Sequence, residues 1–206
     1  MIYDISPPIT SRLGIWPGDT PPSREVLCDL ARGDTVTLST LRATVHLGAH
    51  ADAPSHYGQG APDIAARDLN LYLGPCQVAR AVAKQNARVK LDVEVKAPRF
   101  LLATGTYPNP ESFSTNFAAY DPAFIDWLSE QGVRLIGIDT PSIDLFESKE
   151  LPSHQAVLRH DMAILEGLAL NGVPEGLYEL IALPLPLVGF DASPVRAILR
   201  TQGSEL

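Results

Sequence analysis

Cysteine is scarce in this chain: Cys28 and Cys76 are the only two in 206 residues. They lie far apart and in no metal spacing. A disulfide framework, a C-x-x-C zinc module and the zinc-deaminase pattern are therefore excluded, and two reduced structural thiols are expected. Charge is also sparse, at 19% of residues, with a net charge of −8 and no basic cluster. Nucleic acid and anionic membrane surfaces are poor partners for such a chain. The longest apolar stretch, near residues 180–188, is too short to span a bilayer and carries prolines. The opening Met1-Ile-Tyr-Asp-Ile-Ser has no basic n-region and no apolar h-region, so a cytoplasmic protein without a secretory signal is expected. Also missing are H-E-x-x-H, G-x-S-x-G, G-x-x-x-x-G-K-[ST] and G-x-G-x-x-G. Their absence removes the zincin helix, the nucleophile elbow and the phosphate and dinucleotide loops.

There is ample apolar material. Hydrophobic residues make up 45%, and 18 prolines and 15 glycines are spread along the whole length. That spread favours short strands and many turns over a helical bundle. Strands are expected over residues 35–41, 43–46, 76–83, 99–104, 134–139, 177–183 and 195–200, with an apolar run at 162–165 ending in Glu166 as another. The clearest helix is 121–132, with Asp121 as N-cap, Pro122 in the first position and Gly132 as the stop. Phe124, Ile125, Trp127 and Leu128 would form its apolar face. The expected class is α/β or α+β, strand-rich, as a single domain over residues 1–206.

The chemistry sits in the histidines. Three of the five fall within His46-Leu-Gly-Ala-His50-Ala-Asp52-Ala-Pro-Ser-His56. In an extended chain His46, Gly48, His50 and Asp52 share one face, and the small apolar Leu47, Ala49, Ala51 and Ala53 share the other. A straight strand would hold His46 and Asp52 about 20 Å apart, too far for one ion. The chain must bend, and Gly48 is the residue that can bend it. Pro54 then sets a turn that can aim His56 back to the same place. A polar strand edge meeting water is the plain alternative, but three histidines and an aspartate with almost no other polar residue between them favour a metal site. A second segment holds His154 and, after Met162-Ala-Ile-Leu, Glu166. A carboxylate closing a buried strand is either paired or ligating. Taken alone, His154 beside Pro152 and Ser153 reads as a loop histidine, Glu166 as a salt bridge, and His160 as an ordinary surface residue. A mixed histidine–carboxylate set suits Zn²⁺, Mn²⁺, Fe²⁺ or Co²⁺, and bridging carboxylates would allow two ions.

The pattern His46-x-Gly-x-His50-x-Asp52-x-Pro54-x-His56 resembles the signature of the cyclase-like metal hydrolases, and Gly-Ala-His-Ala-Asp-Ala-Pro resembles its formamidase branch. The wider family usually has Thr where this chain has Ala49. Trp16-Pro-Gly-Asp-Thr-Pro resembles the family's substrate-side loop. Gly137-Ile-Asp139-Thr-Pro-Ser142-Ile-Asp144 resembles its second block, and Pro152-Ser-His154 and Ile164-Leu-Glu166-Gly-Leu resemble its distal ligand segment. The resemblance implies a swivelling β/β/α fold, a homodimer or larger assembly, and two zinc ions. His46, His50 and Asp52 would hold the first ion, His154 the second, and Asp52 and Glu166 would bridge them. His56 would donate and accept the proton, and Trp16 would contact substrate. The implied reaction is hydrolysis of N-formyl-L-kynurenine to L-kynurenine and formate in tryptophan degradation. Another amide or lactam substrate, such as isatin, and a non-enzymatic metal-binding role are the alternatives.

Overall fold

Residues 1–201 are described in a computed structural model of the chain. In chain order the strands and helices are β1 (Ile2–Asp4), β2 (Ser23–Cys28), β3 (Leu38–Arg42), β4 (His50–Asp52), β5 (Leu73–Arg80), β6 (Arg88–Val89), β7 (Arg99–Ala103), β8 (Ala119–Tyr120), α1 (Pro122–Glu130), β9 (Leu135–Ile138), α2 (Pro152–Arg159), β10 (Ala163–Glu166), β11 (Gly176–Ile181), β12 (Ala192–Pro194) and β13 (Ile198–Thr201). Nine strands form one mixed sheet in the order β1-β13-β11-β5-β7-β9-β10-β4-β12. Its centre, β5-β7-β9-β10, is parallel, and every outer pairing is antiparallel. The fold is thus mixed α/β and strand-rich. The short pair β2–β3 stands apart as an exposed hairpin, and β6 pairs with β8.

The central strands are buried on both faces, as parallel strands are when both sides are covered. Phe100, Leu102, Ile136, Ile138 and Ile164 point to the side covered by α1 and α2, where they meet Phe124, Ile125, Leu128, Ala156 and Val157. Leu101, Ala103, Leu135, Ala163 and Leu165 point to the other side and pack with Ala49, Ala51, Ala53, Leu180 and Leu199. The period-two alternation of the strands therefore feeds two cores. Helix α1 begins and ends as its sequence dictates. Asp121 accepts from the Ala123 N–H at 2.9 Å, Pro122 opens the helix, and Gly132 follows its end with φ +87°.

Several boundaries differ from expectation. No strand forms at 43–46, because the Thr44 hydroxyl takes the His46 N–H at 3.2 Å and Gly48 turns left-handed just beyond, at φ +58°. The ladder resumes only at His50. The strand expected at 76–83 shifts to Leu73–Arg80, pulled back by pairing of Leu73 with Ile181. The strand expected at 195–200 becomes Ile198–Thr201. The region expected to be a loop around His154 is helix α2.

Candidate metal centre

One register places three of the donors. β10 runs antiparallel to β4 with Glu166 opposite His50 and Ile164 opposite Asp52. Residues that oppose one another, and residues two apart, share a face. His50, Asp52 and Glu166 therefore lie on the face of Ile164, the side covered by α2. Ala49, Ala51 and Ala53 are buried in the core on the opposite face, and Leu47 is buried as well. Gly167 lets the end of β10 approach the bend at Gly48: at φ +64°, its Cβ would sit 2.2 Å from the Gly48 carbonyl oxygen. Only glycine fits there.

His154 arrives from the first turn of α2. The residue before that helix is Leu151, a left-handed N-cap (φ +44°) whose side chain offers no capping bond. Asp144 does the capping from a distance. Its carboxylate accepts from the Ser153 N–H at 3.0 Å and the His154 N–H at 3.0 Å, filling two of the donors every helix start leaves open. The same oxygen accepts from His154 Nδ1 at 3.0 Å. This leaves His154 Nε2 facing inward, 3.5 Å from Asp52 Oδ2 and 3.6 Å from Glu166 Oε1. His50 is set in the same way: Nδ1 donates to the Gly48 carbonyl at 2.9 Å, and Nε2 lies 3.4 Å from both Asp52 Oδ1 and Glu166 Oε2. Fixing one ring nitrogen so that the other presents its lone pair is the usual support of a ligating histidine. Glu166 Oε1 accepts from the Ile143 N–H at 2.7 Å.

His46 and His56 close the open side. His46 Nδ1 is 3.1 Å from Asp52 Oδ1, and the His46 and His56 rings are 4.4 Å apart. His56 sits on a single 3₁₀ turn, Pro54–His56. Two groups of three donors emerge whose ligand atoms lie within 4.8 Å of one another: His46, Asp52 and His56, and His50, Asp52 and Glu166. Asp52 belongs to both. All six expected residues thus meet in one place, and His160 does not: it is exposed beside Asp126. The sequence reading missed Asp191, which touches both His46 and His56, and it gave Asp144 no role. Asp191 stands alone after Gly189 and Phe190, with no spacing to flag it.

The chemistry of these donors suits a cation. His50 Nε2 and both oxygens of Asp52 are buried without a hydrogen-bond partner among the described residues. Leaving such groups bare costs several kcal/mol. The electrostatics among the donors point the same way. Burial works against charge on His46, but the Asp52, Asp191 and Glu166 carboxylates outweigh it and raise its pKa to about 10. Burial also opposes charge on His154, and Asp144, Asp52 and Glu166 raise it to about 10. Asp52 resists burial and stays well below the ordinary carboxylate range because His46, His154 and His50 surround it. Clustered anions that hold protons on two histidines would hold a divalent cation better, and the nitrogen–oxygen donor set fits one.

Beyond the donors opens a cavity of about 460 Å³. Trp16, Tyr107 and Phe113 form an aromatic wall, and Asp139 and Arg80 also line it. Trp16 is 37% exposed. Its ring packs 4.9 Å from Phe146 and 5.6 Å from Phe113, so it both covers an aromatic cluster and faces the cavity.

A strand-rich α/β sheet with a buried histidine–carboxylate centre at the mouth of an aromatic cavity defines a hydrolase-like architecture, and the chain belongs to the putative cyclase family, whose model matches residues 3–145. It is similar to the kynurenine formamidase of Bordetella petrii, at 47% identity over 208 residues, covering 98% of this chain and 99% of that protein. It is also similar to a solved structure described as a potential metal-dependent hydrolase with cyclase activity, at 29% identity and TM-score 0.81, covering 97% and 96% of the two chains. An isatin hydrolase bound to thioisatinate shares the fold, at 18% identity and TM-score 0.82 over 96% and 91% of the two chains.

Proposed function

We propose that this chain hydrolyses N-formyl-L-kynurenine to L-kynurenine and formate, within tryptophan degradation. The observation that carries the reading is 47% identity to a kynurenine formamidase along essentially the whole of both chains. The site is consistent with it. His46, His50, Asp52, His154 and Glu166 would hold two zinc ions. Bound there, the metal would supply Lewis-acid polarisation of the formyl oxygen and activation of water near neutral pH. The residues of the chain do the rest. The aromatic wall takes the aryl ketone, which directs the formyl group to the donor cluster. His56 accepts the proton of the attacking water and passes it to the anilide nitrogen as the C–N bond breaks, so a neutral amine and formic acid depart, and the acid gives its remaining proton to solvent to become formate. Residues 1–206 would act as one domain, in a cytoplasmic homodimer or larger homo-oligomer.

A substrate panel tests this reading. N-formyl-L-kynurenine should be turned over with a kcat/KM far above that for isatin. A preference for isatin would assign the chain to lactam hydrolysis instead.

Metal uptake should release protons. In the metal-free protein the folded-state pKa of His46 and His154 is raised to about 10 from an ordinary 6.5. The stabilisation this brings to the metal-free fold is complete below about 6.5 and is lost as pH rises through about 10. Near pH 7 both rings hold protons that a cation must displace. Calorimetric titration of metal into stripped protein should therefore give a heat that changes with the ionisation enthalpy of the buffer. A buffer-independent heat would contradict the charge state described for the cluster.

Trp16→Ala should raise KM for aryl formamides roughly 2–10-fold, the range of one aromatic contact worth about 0.5–1.5 kcal/mol. The lost contacts with Phe146 and Phe113 should lower Tm modestly. A large drop in Tm with unchanged KM would show that the ring only covers the core.

A further inference from the structure

We infer that Asp191 is a positioning residue that fixes His56 for proton transfer. The inference rests on the reading of His56 as the proton carrier. Asp191 Oδ2 lies 3.3 Å from His56 Nδ1 and 3.0 Å from His46 Nε2. A carboxylate only accepts, so each of these ring nitrogens carries the hydrogen it donates. The lone pair of His56 is then on Nε2. For His46 the remaining nitrogen is Nδ1, 3.1 Å from Asp52 Oδ1, a separation that calls for a proton or a cation between them. One carboxylate oxygen thus sets the tautomers of two histidines with different tasks.

His56 needs such a partner more than the other histidines do. Its side chain is 34% exposed, against 3–4% for His154 and His50. Its ring meets other rings, those of His46, Tyr57 and His154, but its one hydrogen-bonding partner among the described residues is Asp191. An exposed imidazole on a one-turn 3₁₀ element would otherwise sample several rotamers and both tautomers.

The backbone delivers Asp191 with little freedom. It immediately precedes β12, whose Ala192 pairs with Asp52, and its carbonyl accepts from the Ala53 N–H at 2.8 Å. The carboxylate therefore rides on the strand that pairs with β4, one residue from the turn that carries His56. An aspartate that holds a histidine in one tautomer so that its far nitrogen can move a proton is an arrangement known from nucleophilic hydrolases, reached here on a different scaffold.

The test uses metal-loaded protein, N-formyl-L-kynurenine, and the variants Asp191→Ala, His56→Ala and their combination. Nitrogen NMR of the wild-type His56 ring should show the Nδ1–H tautomer, and Asp191→Ala should lose that preference. In metal-saturated protein Asp191→Ala should lower kcat about 10–100-fold, the usual cost of losing a supporting hydrogen bond in such a centre, with KM retained, while the lost His46 contact weakens metal affinity as a separate effect. At saturating metal, where the His46 contact no longer limits occupancy, the double variant should be no slower than His56→Ala alone, since Asp191 has no proton carrier left to position. Asp191→Asn, which keeps an acceptor, should recover part of the rate. An Nε2–H tautomer in the wild type, an unchanged kcat in metal-saturated Asp191→Ala, or a full further loss of rate in the metal-saturated double variant would overturn the assignment. If His56→Ala itself keeps the wild-type rate, the proton-carrier reading fails, a result distinguishable from all of these.

Discussion

Replacing His56 with alanine is expected to lower kcat by about 10²–10⁴, the range for loss of a general acid–base, while metal content stays near that of the wild type. The geometry makes this a sharp test, because His56 also falls within reach of Asp52 and His46 in one of the two possible three-donor groups. Two features separate it from the other donors. Its side chain is 34% exposed, whereas those of His50, Asp52, His154 and Glu166 are 1–4% exposed. Its Nδ1 is engaged by Asp191, outside the buried cluster. A proton carrier must reach both the water and the leaving nitrogen, which suits a side chain at the mouth of the site. A ligand would instead be enclosed. Elemental analysis beside steady-state kinetics decides the matter: a metal-depleted His56→Ala would make His56 a ligand.

Glu166→Gln is expected to lose metal and rate together. The substitution keeps volume and leaves an oxygen for the Ile143 N–H, which now bonds Oε1 at 2.7 Å. The fold around β10 should survive. What disappears is a negative charge 3.4 Å from His50 Nε2 and 3.6 Å from His154 Nε2. An exposed ion pair would be worth at most about 1 kcal/mol, but Glu166 is buried at the centre of the cluster, so its charge is not screened by water. The decisive measurement is metal content and kcat on one preparation. Full metal content with an intact rate would remove Glu166 from the centre, and His50→Ala provides the comparison, since it should fail on both counts.

Much of this was legible in the sequence because the donors are local. His46, His50, Asp52 and His56 fall in eleven residues, and alternation, a glycine bend and a proline turn suffice to bring them together. Glu166 was readable as a carboxylate ending an apolar run. The helix α1 announces itself through Asp121, Pro122 and Gly132. What stayed hidden depends on contacts between distant segments. α2 has no capping side chain at its own N-cap, Leu151, because Asp144 supplies the cap from seven residues earlier, so only Pro152 marks its start locally. Asp191 reaches His56 only through the pairing of β12 with β4 across 135 residues of chain. The strand expected at 43–46 failed for a local reason instead, since the Thr44 hydroxyl captured the His46 amide.

Formate release from N-formyl-L-kynurenine, measured with and without a strong chelator, tests the central claim most directly. The protein should release formate and L-kynurenine in equal amounts, lose that activity when its metal is stripped, and regain it on return of Zn²⁺. Undiminished activity in protein shown by elemental analysis to hold only trace metal, or intact metal with no formate released, would contradict the account.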